Sequence, residues 1–189
     1  MYFPPLQDIK IIGIDPGTTS LGICIVTINP YTYQVSNLDA NTIFANKLPS
    51  YDKYLSSIHG DLMARIFAYR SYLEELFIMY KPTLIGSESP FFYRTHPGAY
   101  GPLVETLAAI REAVWRYDNT LPLITIPPSN VKKAIGAKGN ANKDDVFKAL
   151  LNYTPFNLDP VFISQLDEHA IDAIAVTAGI LNDYVWRQS

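Results

Sequence analysis

Acidic side chains stand at three places where the surrounding sequence is apolar. Asp15 ends an apolar run that begins near residue 10, and Glu88 ends a second run that begins near residue 83. Asp172 lies between apolar residues of the segment 166–176, three residues after His169. On a helix, that spacing would place His169 and Asp172 on one face. Carboxylate and imidazole groups carry protons and bind metals, so these residues could support acid–base or metal-assisted chemistry.

These acids also have structural interpretations. Asp15 could cap the turn that follows it, and Glu88 could be an exposed strand end. Asp167 and Glu168 fall in the first turn of the last predicted helix, where acids stabilise the helix dipole, and this interpretation is preferred for both. Asp172 is harder to explain in this way because it lies deeper in the helix, among apolar neighbours.

If the first and fourth strands are parallel neighbours, Asp15 and Glu88 meet at one edge of the sheet, where α/β proteins place their sites. Carboxylates gathered there would repel one another unless a hard cation were bound, and oxygen-rich ligands suit Mg²⁺ or Mn²⁺. Pairs of such ions activate water and hold both oxygens of a phosphodiester displacement. Zinc is disfavoured because the one Cys and three His show no ligand spacing.

The hydrophobic periodicity predicts the elements that would position these residues. Strands are expected at 10–15, 21–28, within 33–44, at 83–89 and at 121–126, with the first two forming a hairpin. Helices are expected at about 52–80 with Gly60 as a possible interruption, 102–117, a short segment capped by Ser129, 143–152 and 167–186. This order predicts an α/β fold with a mixed sheet flanked by helices, and a single domain spanning residues 1–189.

Composition limits the classes of protein that fit. The chain has 189 residues, 48% of them hydrophobic and 17% charged, which is too apolar for a disordered protein. A single cysteine, Cys24, leaves no internal disulfide framework and points to a reducing compartment. No stretch predicts a signal peptide or a membrane span, so we expect a cytoplasmic protein that does not enter a membrane.

A basic segment interrupts this acidic chain. The formal net charge is −3 and the pI about 5.5, but five lysines lie between residues 132 and 148 against two aspartates. Such a run is ordinarily a solvated surface, yet it could also neutralise phosphates. The loop 90–101 is aromatic, and Phe91, Phe92, Tyr93 and Arg94 could stack on unpaired bases. A dimer or core contact explains Phe92 and Tyr93 equally well.

Four blocks of the sequence resemble the RuvC family of Holliday-junction resolvases. They are IIGIDPGTTSLGICIV (11–26), IGSESPFF (85–92), SNVKKAIGAKGNANKDDV (129–146) and DEHAIDAIAV (167–176), in the family's order. The resemblance implies a ribonuclease H-like fold whose five-stranded mixed sheet has the order 3-2-1-4-5. It also implies a homodimer that cleaves branched DNA with two divalent metal ions, Mg²⁺ or in its place Mn²⁺.

By position, the resemblance implies catalytic and metal-binding roles for the acidic set. Asp15 matches the family's first-strand aspartate, Glu88 its fourth-strand glutamate, Asp172 the acid of its last helix, and His169 a position filled by Asp or His. Lys132 and Lys143 match lysines near the scissile phosphate, and Lys143 is counted with the catalytic residues. Phe91 matches an aromatic that stacks on bases at the junction. The DNA-contacting residues expected in all are Lys132, Lys133, Lys138, Lys143, Phe91, Phe92 and Arg94.

Two features depart from the family pattern, namely the aromatic loop and the acidic pI. They favour a phage- or virus-type member that cuts flaps and replication forks as well as four-way junctions, in a bacterial or phage-infected cytoplasm. Three alternatives remain open: an RNA-processing nuclease of the same fold, an actin-like or sugar-kinase-like ATPase fragment, and a catalytically silent DNA-binding module. The helices at 52–80 and 102–117 are candidates for the dimer interface, although their apolar and Tyr residues would serve the core equally well.

Overall fold

The computed structural model describes residues 7–92 and 97–186. The strands are β1 (Ile9–Pro16), β2 (Ser20–Ile28), β3 (Val35–Phe44), β4 (Leu84–Glu88) and β5 (Leu123–Ile126). The helices are α1 (Lys53–His59), α2 (Asp61–Tyr80), α3 (Tyr100–Tyr117), α4 (Pro128–Ala134), α5 (Lys143–Leu151), α6 (Pro160–Ser164) and α7 (Glu168–Ile180). Short 3₁₀ turns occupy Ala45–Lys47 and Pro97–Ala99, and a π-helical segment, Leu181–Trp186, continues α7. Within the described residues, no helix combines the length and hydrophobicity needed to cross a membrane.

The five strands form one mixed sheet in the order β3-β2-β1-β4-β5. The strand β2 pairs antiparallel with β1 and with β3, whereas β4 pairs parallel with β1 and with β5. This arrangement confirms the predicted hairpin and the predicted strand order. The carboxyl ends of β1, β3, β4 and β5 consequently lie at the same edge of the sheet.

Each face of the sheet packs against its own layer of helices. Alternate residues of β1 point to opposite faces, so that Ile12 and Ile14 join one core cluster while Ile11 joins the other. The first cluster includes the buried residues of α2 and α3, such as Tyr69 and Ile110. The second is built mainly from α4 to α7 and includes most of the buried face of α7.

Helix α7 lies unusually close to the sheet because glycines leave room for it. A Cβ atom at Gly22 would collide with the backbone carbonyl of His169. A Cβ atom at Gly13 would collide with the hydroxyl of Thr177 and lie 2.8 Å from the carbonyl oxygen of Ala173. These contacts fix the height of α7 above β1 and β2, and therefore the height of every side chain that α7 carries towards the sheet.

The structure corrects some details of the predicted elements. Gly60, with φ of 86°, separates α1 from α2, which confirms the predicted interruption. The prediction that Ser129 caps a helix is wrong, because Pro127 is the N-cap of α4. Pro128 starts the helix two residues earlier than a cap at Ser129 would, since its fixed φ suits the first helical position. The sequence analysis also missed α6, a helix of five residues.

We predict that Gly22→Ala destabilises the protein, because its methyl group must displace the backbone of α7 at His169. The free energy of unfolding should fall by roughly 3 kcal/mol or more. Denaturant titration measures this loss. Gly101→Ala in α3 is the matched control, since open space surrounds Gly101 and alanine favours helices. Equal stability of the two variants would contradict the close packing of α7.

Candidate active site

The register between β1 and β4 places Asp15 and Glu88 on the same face of the sheet. Gly13 pairs with Gly86 in this parallel ladder, and each acid follows two residues later. Because side chains alternate along a strand, each acid shares the face of its glycine, which is the face covered by α7. Two carboxylates of adjacent strands are thus neighbours at the carboxyl edge, as the sequence predicted.

The first turns of α7 bring His169 and Asp172 to the same edge. The Nδ1 atom of His169 lies 2.8 Å from Oδ2 of Asp15, within hydrogen-bonding distance. The Asp15 side chain is 14% exposed and that of His169 32% exposed, so this pair is partly shielded from water. Asp172 lies one helical turn further along and is also partly buried. The structure therefore brings all four predicted residues together.

Burial and neighbouring negative charge raise the pKa values of Glu88 and Asp172. Burial raises the pKa of Glu88 to about 8, and the negative charges of Asp15 and Asp172 add to this rise. Burial, followed by repulsion from Asp15, raises the pKa of Asp172 to about 6. The hydrogen bond to Asp15 raises the pKa of His169, since the carboxylate stabilises the imidazolium form. The site therefore favours bound positive charge.

The chemistry of these donors fits a hard divalent cation. Three carboxylates and one imidazole supply oxygen-rich ligands of the kind that Mg²⁺ and Mn²⁺ bind. Burial and mutual repulsion together raise the pKa values of Glu88 and Asp172, and a bound cation would offset both effects. Among the described residues, however, no three His, Cys, Asp or Glu side chains are already grouped as a metal site. Ligand roles for these residues remain a prediction.

Asp167 and Glu168 are engaged in other contacts. Asp167 is the N-cap of α7, where its Oδ1 atom accepts a hydrogen bond of 3.1 Å from the backbone of Ala170. The Thr42 hydroxyl on β3 donates to the same oxygen. Glu168 forms an ion pair with Lys143. The preferred interpretation of both acids as charges at the helix N-terminus agrees with these contacts.

The predicted lysines differ in their positions. Lys132 is partly buried, and its Nζ atom donates a hydrogen bond of 2.7 Å to the carbonyl of Ala141. Its charge lowers the pKa values of Glu88 and Asp172, against the stronger effect of burial. Lys143 borders a cavity of about 170 Å³ that Asp172 also lines. Lys133 and Lys138 are exposed at the surface.

The described aromatic residues of the loop after β4 are exposed. Phe91 is 55% exposed and Phe92 52% exposed, so the core interpretation of Phe92 is wrong. The Phe92 ring meets the ring of Tyr100 edge-on, with centroids 5.8 Å apart, at the start of α3. The remaining predicted contacts of this loop, Tyr93 and Arg94, lie outside the described residues.

Sequence reasoning missed the residues that hold the acids in place. Thr42 links β3 to Asp167, and Gly22 lets His169 approach Asp15. The only sequence signal for Gly22 is its position within a predicted strand, where glycine marks a close backbone approach. Thr42 carries no comparable signal.

The mixed sheet of order 3-2-1-4-5, with acids at the carboxyl edge and on the last helix, defines a ribonuclease H-like protein. The family model for the crossover junction endodeoxyribonuclease RuvC matches residues 11–179. The chain therefore belongs to the RuvC family of endodeoxyribonucleases, which confirms the resemblance seen in the sequence.

Individual relatives agree with this assignment. RuvC of Prochlorococcus marinus strain MIT 9313 is 30% identical over 172 residues, which cover 88% of this chain and 94% of the relative. Thermus thermophilus RuvC in complex with a Holliday junction substrate has a TM-score of 0.64 at 20% identity, covering 90% of this chain and 91% of that one. Fowlpox virus resolvase with Holliday junction DNA has a TM-score of 0.59 at 9% identity, covering 94% and 99%. These two structural likenesses support the fold.

We predict that Glu88→Gln stabilises the protein in EDTA. The pKa of Glu88 is raised to about 8 from the ordinary value of 4.5. Folding therefore becomes less favourable as pH rises between these values, and the neutral amide avoids this loss. The unfolding temperature should exceed that of the wild type by on the order of 5 °C at pH 8.5, and by little near pH 4.5.

Thermal unfolding across this pH range measures the effect of Glu88→Gln. Glu75→Gln, on the exposed surface of α2, is the control and should change the unfolding temperature little at any pH. If Glu88→Gln raised the unfolding temperature equally at every pH, or did not raise it at all, Glu88 would not be a destabilised carboxylate.

Proposed function

We propose that this chain resolves Holliday junctions by nicking two opposed strands symmetrically, leaving 5′-phosphate and 3′-hydroxyl ends. The observation that carries this proposal is the convergence of Asp15, Glu88, His169 and Asp172 at one sheet edge in a member of the RuvC family. The family match favours DNA junctions over the RNA-processing and ATPase alternatives. The match over residues 11–179 also supports one nuclease domain for the whole chain.

The proposal includes two divalent ions, with Mg²⁺ as the natural metal and Mn²⁺ as a substitute. Asp15, Glu88, Asp172 and His169 would hold them, since these residues combine charge, proximity and the appropriate donor atoms. When bound, such ions supply an activated water and stabilise charge on the leaving oxygen of a phosphodiester. The chain keeps these ligands partly shielded from bulk water, which strengthens their interaction with positive charge.

The protein's own side chains would orient the reacting strand. The hydrogen bond between His169 and Asp15 fixes the imidazole ring and the carboxylate relative to β1. Lys132 is held by the Ala141 carbonyl close enough to influence Glu88 and Asp172, so its ammonium group would lie beside a phosphate bound at these acids. Lys143 can exchange its exposed partner Glu168 for a phosphate, because an exposed ion pair contributes little stability.

We further propose that the active form is a homodimer. Two opposed strands require two active sites related by a two-fold axis, and symmetric dimers supply this arrangement. A groove between α2 and α3, lined by Met63, Phe67 and Ala108 with Arg70 and Glu112 beside them, offers apolar surface and both charges to a second copy. Sedimentation with and without junction DNA tests this part of the proposal.

The central experiment uses a labelled synthetic four-way junction with Mg²⁺ or Mn²⁺ and a linear duplex as control. Paired EDTA-sensitive nicks in opposite strands, which a ligase can reseal, are the expected result. The same assay on flaps and replication forks determines whether the enzyme cuts other branched DNA. Cleavage of structured RNA alone, or of no nucleic acid with either metal, would overturn the proposed function.

We predict that Asp15→Asn reduces junction cleavage by at least ~10³-fold, because Asp15 lies at the centre of the acidic site. Junction affinity should stay within about threefold, since phosphate contacts dominate DNA binding. Single-turnover cleavage and gel-shift titration measure the two quantities. Asp39→Asn on β3 is the matched control and should cleave normally. Wild-type cleavage by Asp15→Asn would refute the assigned active site.

We predict that Lys133→Met and Lys138→Met weaken junction binding without changing the cleavage rate of the bound complex. Both lysines are exposed, so each change removes charge and leaves the core intact. Each should lower the salt dependence of log Kd by about 1, because one phosphate is no longer neutralised. Affinity measured from low to moderate salt tests this effect. Lys10→Met, near the opposite end of β1, should keep the wild-type slope.

A further inference from the structure

The last residue of β3 lies on the same face and at the same edge of the sheet as the acidic site. Phe44 pairs with Ser20 across β2, while Thr42 pairs with Gly22, which in turn pairs with Asp15. Directly paired residues of antiparallel strands point to one face, so Phe44 shares the face of Asp15. The contact of Thr42 with Asp167 on α7 confirms this orientation for β3.

Phe44 is exposed although its position is fixed. Its side chain is 40% exposed, whereas the following Ala45 is fully buried and donates a backbone hydrogen bond of 3.3 Å to Thr19. The Nζ atom of Lys47 lies 4.8 Å from the centre of the Phe44 ring. The 3₁₀ turn Ala45–Lys47 thus presents an aromatic ring and a cation as one unit. We call Phe44 and Lys47 the β3 platform.

The position of the β3 platform relative to Asp15 follows from the sheet geometry. Two strand spacings and two residues along β3 separate Phe44 from the row of Asp15, a distance on the order of 12 Å. This is comparable to the width of one groove of duplex DNA (~12 Å). The lysines of α4 and the loop carrying Phe91 follow β5 and β4, on the other side of β1, whereas Lys143 of α5 pairs with Glu168 at the start of α7.

We infer that the β3 platform is a second DNA contact, in which Phe44 stacks on an unpaired base near the branch point and Lys47 holds an adjacent phosphate. This inference rests on the proposed function. An exposed aromatic ring beside a cation is the combination that binds single-stranded bases. A protein partner is less suited to this surface, because lysine is depleted from the cores of protein interfaces.

The experiment compares Phe44→Ala, Phe44→Trp and Lys47→Met with the wild type. We expect Phe44→Ala to weaken junction affinity roughly 10-fold, with linear duplex binding changed by less than about twofold, because only the junction offers unpaired bases. Phe44→Trp should restore junction affinity, since tryptophan also stacks. Lys47→Met should weaken binding to both DNAs and lower the salt dependence of log Kd by about 1.

Tyr31→Ala is the matched control, since Tyr31 is an exposed aromatic in the turn at the opposite end of β2 and β3. A 2-aminopurine placed beside the branch point should be quenched by the wild type and by Phe44→Trp, and less by Phe44→Ala. The inference fails if Phe44→Ala has the same junction affinity and the same 2-aminopurine quenching as Tyr31→Ala. If the wild type still cleaves the junction in that case, the proposed function stands. If the wild type neither binds nor cleaves junctions, the proposed function fails first.

Discussion

Mutual repulsion among Asp15, Glu88 and Asp172 is the constraint on which the arrangement of this protein depends. Carboxylates that are partly removed from water and close together cost free energy when ionised, as the pKa of about 8 for Glu88 indicates. Only a rigid framework keeps such groups together. Here the parallel pairing of β1 with β4 supplies two of the acids, and α7 supplies the third together with the imidazole of His169.

Glycines in the sheet allow the close helix packing that holds the acids together against this repulsion. Gly13 and Gly22 let the backbone of α7 rest directly on the sheet, so that His169 reaches Asp15. Asp167, the N-cap residue of α7, anchors the start of the same helix, and the Thr42 hydroxyl links it to β3. The destabilising effect of the acids is offset by the buried face of α7, whose residues 173–178 are completely removed from solvent. The acidic cluster thus costs stability at one end of a helix that the core stabilises along its length.

The lysines of the basic segment differ in their contacts and in their exposure to solvent. Lys132 donates a hydrogen bond to the Ala141 carbonyl, so its ammonium group can act only near that position. Lys133 and Lys138 are exposed and can contact a phosphate backbone. Lys143 forms an ion pair with Glu168, and both residues line a small cavity together with Asp172. The net charge of −3 therefore says little about DNA binding, because the acids at the site account for part of it and five lysines are concentrated in the segment 132–148.

Sequence patterns alone predicted the alternation of strands and helices, the acids at strand ends and the placement of His169 and Asp172 on one helical face. These are local properties, set by hydrophobic period and by i, i+3 spacing. The start of α4 was missed by two residues because Pro128 and Ser129 offer competing signals, and α6 was missed because five residues carry too little periodicity. By contrast, it is the folded arrangement that bonds Asp15 to His169, pairs Glu168 with Lys143 and places Phe44 on the face of the site. Those contacts join residues far apart in the chain. They depend on the strand register and on the close contacts at the glycines, which no local sequence pattern encodes.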